Sequence, residues 1–335
     1  MAHPRAFSEA KGRQPIRSVP GALATGLKSQ TTSTFGWIET RSLTLPVLTL
    51  SSANHALDGH GPLADCLHSQ NLSLILKPRM EIEGTKSMRA PAPLSEISLG
   101  IVCPMANEEN SASAFVTEVL EQCLKQGFKS VIFFAILDNK STDQTRSILD
   151  DYATRQTDLQ VVWAPRNKSV VDAYLVGYRE ALLAGCDWVL EIDAGFSHQP
   201  ADISQFFTRM REGYDCVFGS RFCRGGSIKE SSLRRYLISR GGSIVSNALL
   251  GTSLKDMTSG FELFSRASLQ HVLAKGIRSR GPFFQTEIKA YCRRLKVVEV
   301  PIQYRGASHE IGSAALKDSF SNLWRLFQLR VQGQL

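Results

Sequence analysis

The stretch "LGIVCPMANEENSASAFVTEVLEQCLKQG", Leu99 to Gly127, decides the fold of this chain. "LGIVC" is a short, continuous apolar run, as suits a strand covered on both faces. Pro104 stops it, and the polar exit "ANEEN" follows. Phe115, Val119, Leu120 and Cys123 then fall at the i, i+4, i+5, i+8 spacing of one buried helix face, and Gly127 closes the helix. The same unit recurs downstream. "VIFFAIL" precedes "TRSILDDYATRQ", "LQVVWA" precedes "VVDAYLVGYREALLAG", and "WVLEI" precedes a helix opened by Pro200, itself followed by "YDCVFG". Continuous apolar strands alternating with helices predict an α/β fold, a mainly parallel sheet flanked by helices. In such folds ligands bind beyond the carboxyl ends of the strands, so the residues just after each strand are where chemistry is sought.

Upstream the pattern is different. Residues 1–95 are rich in Ser, Thr, Pro, Gly and Leu without sustained periodicity, and read as a poorly ordered extension before a domain over 96–335. The first 35 residues are basic and hold a single acid, Glu9, a composition compatible with a transit peptide; Met80 and Met88 are alternative starts. The 335 residues are 43% hydrophobic and 21% charged, with no apolar run long enough to span a bilayer. A net charge of +8 suits an anionic partner, whether phosphate, membrane surface or nucleic acid, and equally a merely solubilising role. The seven cysteines form no CxxC pair, which points to a reducing compartment with neither disulfide framework nor zinc site.

Four strand exits carry polar residues. Asn107, Glu108 and Glu109 follow the first strand, where helix capping is the plainer reading. Asp138 and Asn139 follow the second, in a setting that also suits an Asx-type turn. "EIDAGFSHQP", Glu191 to Pro200, ends the fourth, and "FGSRF" places Arg221 after the fifth. The absence of GxGxxG and GxxxxGK[ST] argues against a dinucleotide oxidoreductase or a P-loop enzyme.

Read in order, "CPMANEEN", "LDNKSTDQT", "EIDAGFSHQP", "FGSRF", "LISRGGSIVSNALLG", "DMTSGFELFSR", "FFQTEIKAYCRR" and "VVEVPIQYR" resemble glycosyltransferase family 2, specifically its dolichol-phosphate mannose synthase-like members. The resemblance runs from Ile97 to Arg330. It implies a GT-A-type fold and transfer of a hexose, mannose being one choice, from a nucleotide-diphosphate sugar to a polyprenyl phosphate, inverting and metal-dependent with Mg²⁺ or Mn²⁺. By resemblance Pro104, Asn107, Glu108, Asp138 and Asn139 hold the donor's nucleoside, with Ala194 also on the donor side. Asp193 binds the cation. Arg221 contacts phosphate, joined by Arg235 and Arg240. Asp256, Ser259 and Gly260, with Gln285 and Glu287, shape the acceptor and sugar side. The implied partners are the sugar donor, the lipid phosphate and a membrane surface or membrane protein, not nucleic acid. The implied location is cytoplasmic and peripheral to a membrane.

The chain departs from the family pattern at several points. Asp-x-Asp is usual where this chain has Asp193, Ala194, Gly195. Residues i and i+2 of a strand point the same way, so Glu191 is a candidate second metal ligand beside Asp193; a hydrogen bond from Glu191 to a neighbouring element is the competing reading. Ser197 is a further oxygen near the site, and His198 reads as loop packing. Ala106 replaces an aromatic and Asn139 a second Asp. Ala314 and Ala315, near Arg305 and His309, stand where a Ser-Lys phosphate clamp is common. Two alternatives stay open: a saccharide acceptor, whose hydroxyl needs a general base that only Glu287 offers, and a non-catalytic sugar-nucleotide-binding protein. In the tail, Phe320, Leu323, Trp324, Phe327 and Val331 lie on one face of a basic amphipathic helix, suited to a bilayer surface or to packing on the domain.

Overall fold

The computed structural model describes residues 92–229, 233–306 and 312–335, the side chain of Arg235 excepted. The readings of residues 1–91, and of His309, lie outside the described residues. After a single 3₁₀ turn at Leu94–Glu96, the chain alternates as its apolar pattern predicts: β1 (Ser98–Pro104), α1 (Ala112–Leu124), β2 (Ser130–Leu137), α2 (Thr145–Ala153), β3 (Leu159–Trp163), α3 (Val170–Leu183), β4 (Trp188–Glu191), α4 (Ile203–Arg211) and β5 (Cys216–Ser220). Then come β6 (Ser227–Lys229), α5 (Leu233–Leu250), β7 (Glu262–Ser265), α6 (Arg266–Lys275), α7 (Phe284–Tyr291), β8 (Val297–Pro301), β9 (Gln303–Arg305) and α8 (Ser313–Val331).

Seven strands form one sheet in the order β3-β2-β1-β4-β7-β5-β8. Every neighbouring pair is parallel except those of β7, which runs antiparallel to both β4 and β5. This single reversal matters for the site. It brings the segment before β7, residues 256–261, to the same edge as the carboxyl ends of the parallel strands.

Side chains alternate along each strand into two cores. Leu99, Ile101 and Cys103 of β1 pack with Phe115, Val119, Leu120 and Cys123 of α1 and with Phe206 and Phe207 of α4. Val102 turns the other way, towards Tyr174, Tyr178 and Ala181 of α3 and the helices α6 and α7. The described cysteines are free, five of them buried, as their apolar settings suggest.

The last helix corrects one expectation. Its buried stripe is Asn322, Leu323 and Leu326, whereas Phe320, Trp324 and Val331 are exposed. The predicted face therefore splits, because the core-facing stripe runs through position 326 and only Leu323 is shared. Arg330 of α8 donates from Nη1 to the carbonyls of Ala248 (2.9 Å) and Leu249 (2.8 Å), satisfying the otherwise orphaned C-terminal end of α5. No helix among the described residues is long and apolar enough to cross a membrane.

Where α3 crosses β1 the contact is tight. A Cβ added to Gly177 would lie 2.2 Å from Cγ1 of Val102, a β-branched side chain with little freedom to turn away. A Cβ on Gly241 of α5 meets nothing within 4 Å. Gly177→Ala should therefore destabilise the fold by about 1–3 kcal/mol through overpacking. Gly241→Ala should stabilise it by roughly 0.5–1 kcal/mol through helix propensity. Urea midpoints of the two variants against wild type check the opposite signs.

Candidate active site

The first two strand exits are sewn together. Asn107, at φ 59°, donates Nδ2 to the carbonyl of Lys140 (3.0 Å), and its Oδ1 accepts from the backbone N–H of Thr142 (3.0 Å). Glu108 N–H donates to Thr145 Oγ1 (2.7 Å), and Glu109 N–H to Asp143 Oδ2 (3.0 Å). The amide of Asn107 is thus used in joining two loops rather than in gripping a ligand. Asp138 is buried, with Oδ1 accepting from Lys140 N–H (2.9 Å), the turn chemistry open to such a residue. Exposed Asn139 donates to the carbonyl of Pro165 (2.9 Å), tying in the exit of β3. Pro104 ends β1 opposite Ile136.

Asp193 follows β4, and its side chain is 43% exposed. Oδ1 accepts from the buried hydroxyl of Tyr174. The backbone N–H of Asp193 donates to His198 Nδ1 (3.2 Å), so that nitrogen carries no proton. Oδ2, 3.7 Å from the same Nδ1, is consequently left with open lone pairs. Ala194 is half-buried against the core. His198 is buried and stacks on Phe261 at 5.0 Å, which is the packing role expected of it. Its burial pushes the imidazole down to about 4, against the opposing pull of Asp193.

Glu191 does not share a cation with Asp193. The two carboxylates do point to the same side, but α3 covers β4 to its end, and Glu191 is fully buried. Tyr178 donates to its Oε2 and Gln285 to its Oε1. Directly across β7 sits Glu262, equally buried, whose Oε1 is paired with Lys289. Burial first, then the charge of Glu262, push Glu191 well above the usual carboxyl range, and burial carries Glu262 to about 7 despite Lys289. Lys289 also donates to the carbonyl of Ser259. Ser259 Oγ and Gln285 Oε1 are buried without a partner. A Cβ on Gly260 would fall 2.8 Å from Gln285 Nε2, so a side chain here would displace the amide that donates to Glu191.

Arg221, 7% exposed, is gripped by Asp256: Nε to Oδ2 at 2.7 Å, Nη2 to Oδ1 at 2.8 Å, and backbone N–H to Oδ2 at 3.0 Å. Thr258 Oγ1 accepts from the same Nη2 (2.6 Å). Asp256 accordingly holds the guanidinium rather than a substrate, and despite its burial Arg221 keeps its carboxyl down at about 2. Arg240 shares a ring neighbour with Arg221: the guanidinium carbons of Arg221 and Arg240 sit near Phe222, at 5.4 and 5.3 Å from its centroid. Together with Tyr236 and Ile228 these residues line a cleft of about 310 Å³.

Glu287 is taken up by the protein's own donors. It is fully buried and accepts from Ser279 N–H (2.8 Å), Ser279 Oγ (2.5 Å), Tyr291 (3.0 Å) and Arg325. With those donors in place, its lone pairs lock α7 to α8 and to the loop before it. Tyr174, Tyr178, Thr258 and Lys289 are the site's supporting residues that strand-exit reasoning missed. Tyr174 and Tyr178 were signalled only by their i, i+4 spacing on an otherwise apolar helix.

A family model, Glycosyl transferase family 2, matches residues 100–273, which contain the strand exits just described. The chain belongs to that family. The glycosyltransferase is similar to polyprenol monophosphomannose synthase of Mycolicibacterium smegmatis, 27% identical over 222 residues, covering 65% of this chain and 81% of that one. It is also similar to undecaprenyl-phosphate mannosyltransferase of Micrococcus luteus, 30% identical over 183 residues, 54% of this chain and 74% of the other. These likenesses put the enzyme among the dolichol-phosphate mannose synthase-like members. Glucosyl-3-phosphoglycerate synthase of Mycobacterium tuberculosis, in its complex with uridine diphosphate, superposes with a TM-score of 0.51 at 16% identity, covering 74% of this chain and 87% of that one. That likeness shows the shared GT-A fold.

The pH dependence of His198 is measurable in the glycosyltransferase. Its folded pKa, about 4, lies below the ordinary 6.5, so acid favours the unfolded state as pH falls through that window. In buffer with EDTA, His198→Asn keeps an acceptor for the Asp193 N–H but cannot titrate. Between pH 7 and 4 wild type should lose about 3 kcal/mol more stability than this variant. The raised Glu262 acts in the opposite direction in both proteins and cancels in the difference. Chemical denaturation at several pH values checks it.

Proposed function

We propose that this enzyme transfers mannose from a nucleoside diphosphate sugar to a polyprenyl phosphate, by direct displacement with inversion at the anomeric carbon. The observation that carries the reading is where the arginine cleft lies. Arg240 sits on α5 at i+7 from Leu233 and i−4 from Ile244, with Leu237 between, and those three apolar side chains are exposed. A phosphate held by Arg221 and Arg240 would have its hydrocarbon tail leaving along an apolar helix surface. A saccharide acceptor has no use for that surface and lacks a base, Glu287 being consumed by its hydrogen bonds. The names of the two mannosyl-transferring relatives support both the sugar and the lipid.

Asp256 and Thr258 fix the guanidinium of Arg221 before substrate arrives, so little reorganisation is needed to meet phosphate charge. A lipid phosphate is already anionic at neutral pH, and the protein's task is alignment rather than deprotonation. Asp138 and Asn139 face the donor's nucleoside from the exit of β2. Tyr174 orients Asp193, whose open Oδ2 suits a hard divalent cation that completes its shell with diphosphate and water. Such a cation, when bound, neutralises charge on the departing nucleoside diphosphate.

Transfer of labelled mannose from GDP-mannose to a short polyprenyl phosphate, with Mg²⁺ or Mn²⁺, tests the reading. Chelator or Asp193→Asn should abolish transfer, and Arg221→Lys should lower kcat/KM by about 10²-fold. Turnover that requires a saccharide acceptor, with none to the lipid phosphate, would overturn it.

A further inference from the structure

We propose that Glu108 supplies the second carboxylate of the cation site, in the place that Gly195 leaves without a side chain. This rests on the cation-assisted reaction proposed above and adds a role for a residue of another strand exit. The key observation is steric. A Cβ on Gly195 would lie 2.9 Å from Glu108 Oε1 and 3.0 Å from Oε2. The volume that a side chain at position 195 would enter is filled by a carboxylate arriving from the end of β1.

That carboxylate is held in place. Glu108 is half-buried at the start of α1, where its carbonyl accepts from Ala112 N–H (2.7 Å) and its N–H donates to Thr145. Ser111 Oγ donates to Oε2 (2.5 Å), while Oε1 accepts no hydrogen bond among the described residues. The loop bearing Asp193 is fixed to the same helix, through Phe196 packed edge-on against Phe115 at 5.1 Å. Gly195 and Phe196 both take positive φ, 71° and 59°, which turns the loop back towards α1. Among the described residues neither carboxylate has a lysine or arginine within ion-pair distance. Yet both act on one buried thiol, Cys103, which burial and then Asp193 and Glu108 push up. Each presents one oxygen without a donor, Oδ2 of Asp193 and Oε1 of Glu108. Two such oxygens, with water and diphosphate, make a donor set that fits Mg²⁺ or Mn²⁺.

The test is Mn²⁺ binding by the full chain, read from loss of the free Mn²⁺ electron paramagnetic resonance signal, with GDP or UDP present. Glu108→Gln keeps the size and an acceptor for Ser111, and should weaken Mn²⁺ binding about tenfold or more with an unchanged thermal midpoint. Asp193→Asn serves as the reference loss. In Glu108→Ala the space beside Gly195 opens, and adding Gly195→Asp, a residue that tolerates positive φ, should restore binding. Mn²⁺ binding by Glu108→Gln equal to wild type, with Asp193→Asn impaired, overturns the assignment and leaves the proposed reaction standing. Absence of Mn²⁺ binding by wild type overturns the assignment and the cation together, and the mannose-transfer assay then decides separately whether glycosyl transfer occurs.

Discussion

Two glutamates face each other across β4 and β7, fully buried, and one lysine bridges the second of them, Glu262, to the carbonyl of Ser259. Burying charge is costly unless geometry and hydrogen bonds compensate, and removing one partner of such a set leaves an uncompensated ion. The compensation here comes from three separate elements. Tyr178 reaches in from α3, Gln285 and Lys289 from α7, and the backbone from the segment before β7. The network therefore specifies how helices and central strands must sit for any of them to be satisfied. Asp193 and Gly260 each lie two residues beyond this pair, at the same end of β4 and β7.

This arrangement explains why carboxylates that look alike in sequence do different work. Glu191 and Asp193 are two residues apart and point the same way, but α3 covers one completely and leaves the other 43% exposed. Glu287 sits two residues beyond Gln285 and is absorbed by Ser279, Tyr291 and Arg325. Asp256 is spent on Arg221. Asp193 and Glu108, both on strand-exit loops, each use one carboxylate oxygen within the protein and keep the other without a donor among the described residues.

Much of the fold was legible because its signals are local. Apolar runs such as "VIFFAIL" and the stripe Phe115, Val119, Leu120, Cys123 report burial directly. Pro200 at the first turn after Glu191 marks a helix entry as it should, though the turn it opens is 3₁₀ before α4 begins. The reversal of β7 was not legible, because strand direction leaves no mark in a four-residue strand. The split face of α8 was missed for a related reason: Leu323 and Phe327 fit more than one stripe, and the neighbour that selects between stripes, α5, lies far away in sequence. At the site, strand-exit reasoning picks out Asp193 and Arg221, which the fold sets at the ends of β4 and β5. Which acids are free depends on tertiary donors such as Tyr178, Gln285 and Ser279, and these carry no adjacent signal.

The capping of α5 by Arg330 has a mechanical consequence. A charged side chain that donates to two terminal carbonyls ties helices together, and here it joins two helices that each expose apolar side chains. Arg330 thereby ties the helix that exposes Trp324 and Val331 to the helix that carries Arg240 into the cleft.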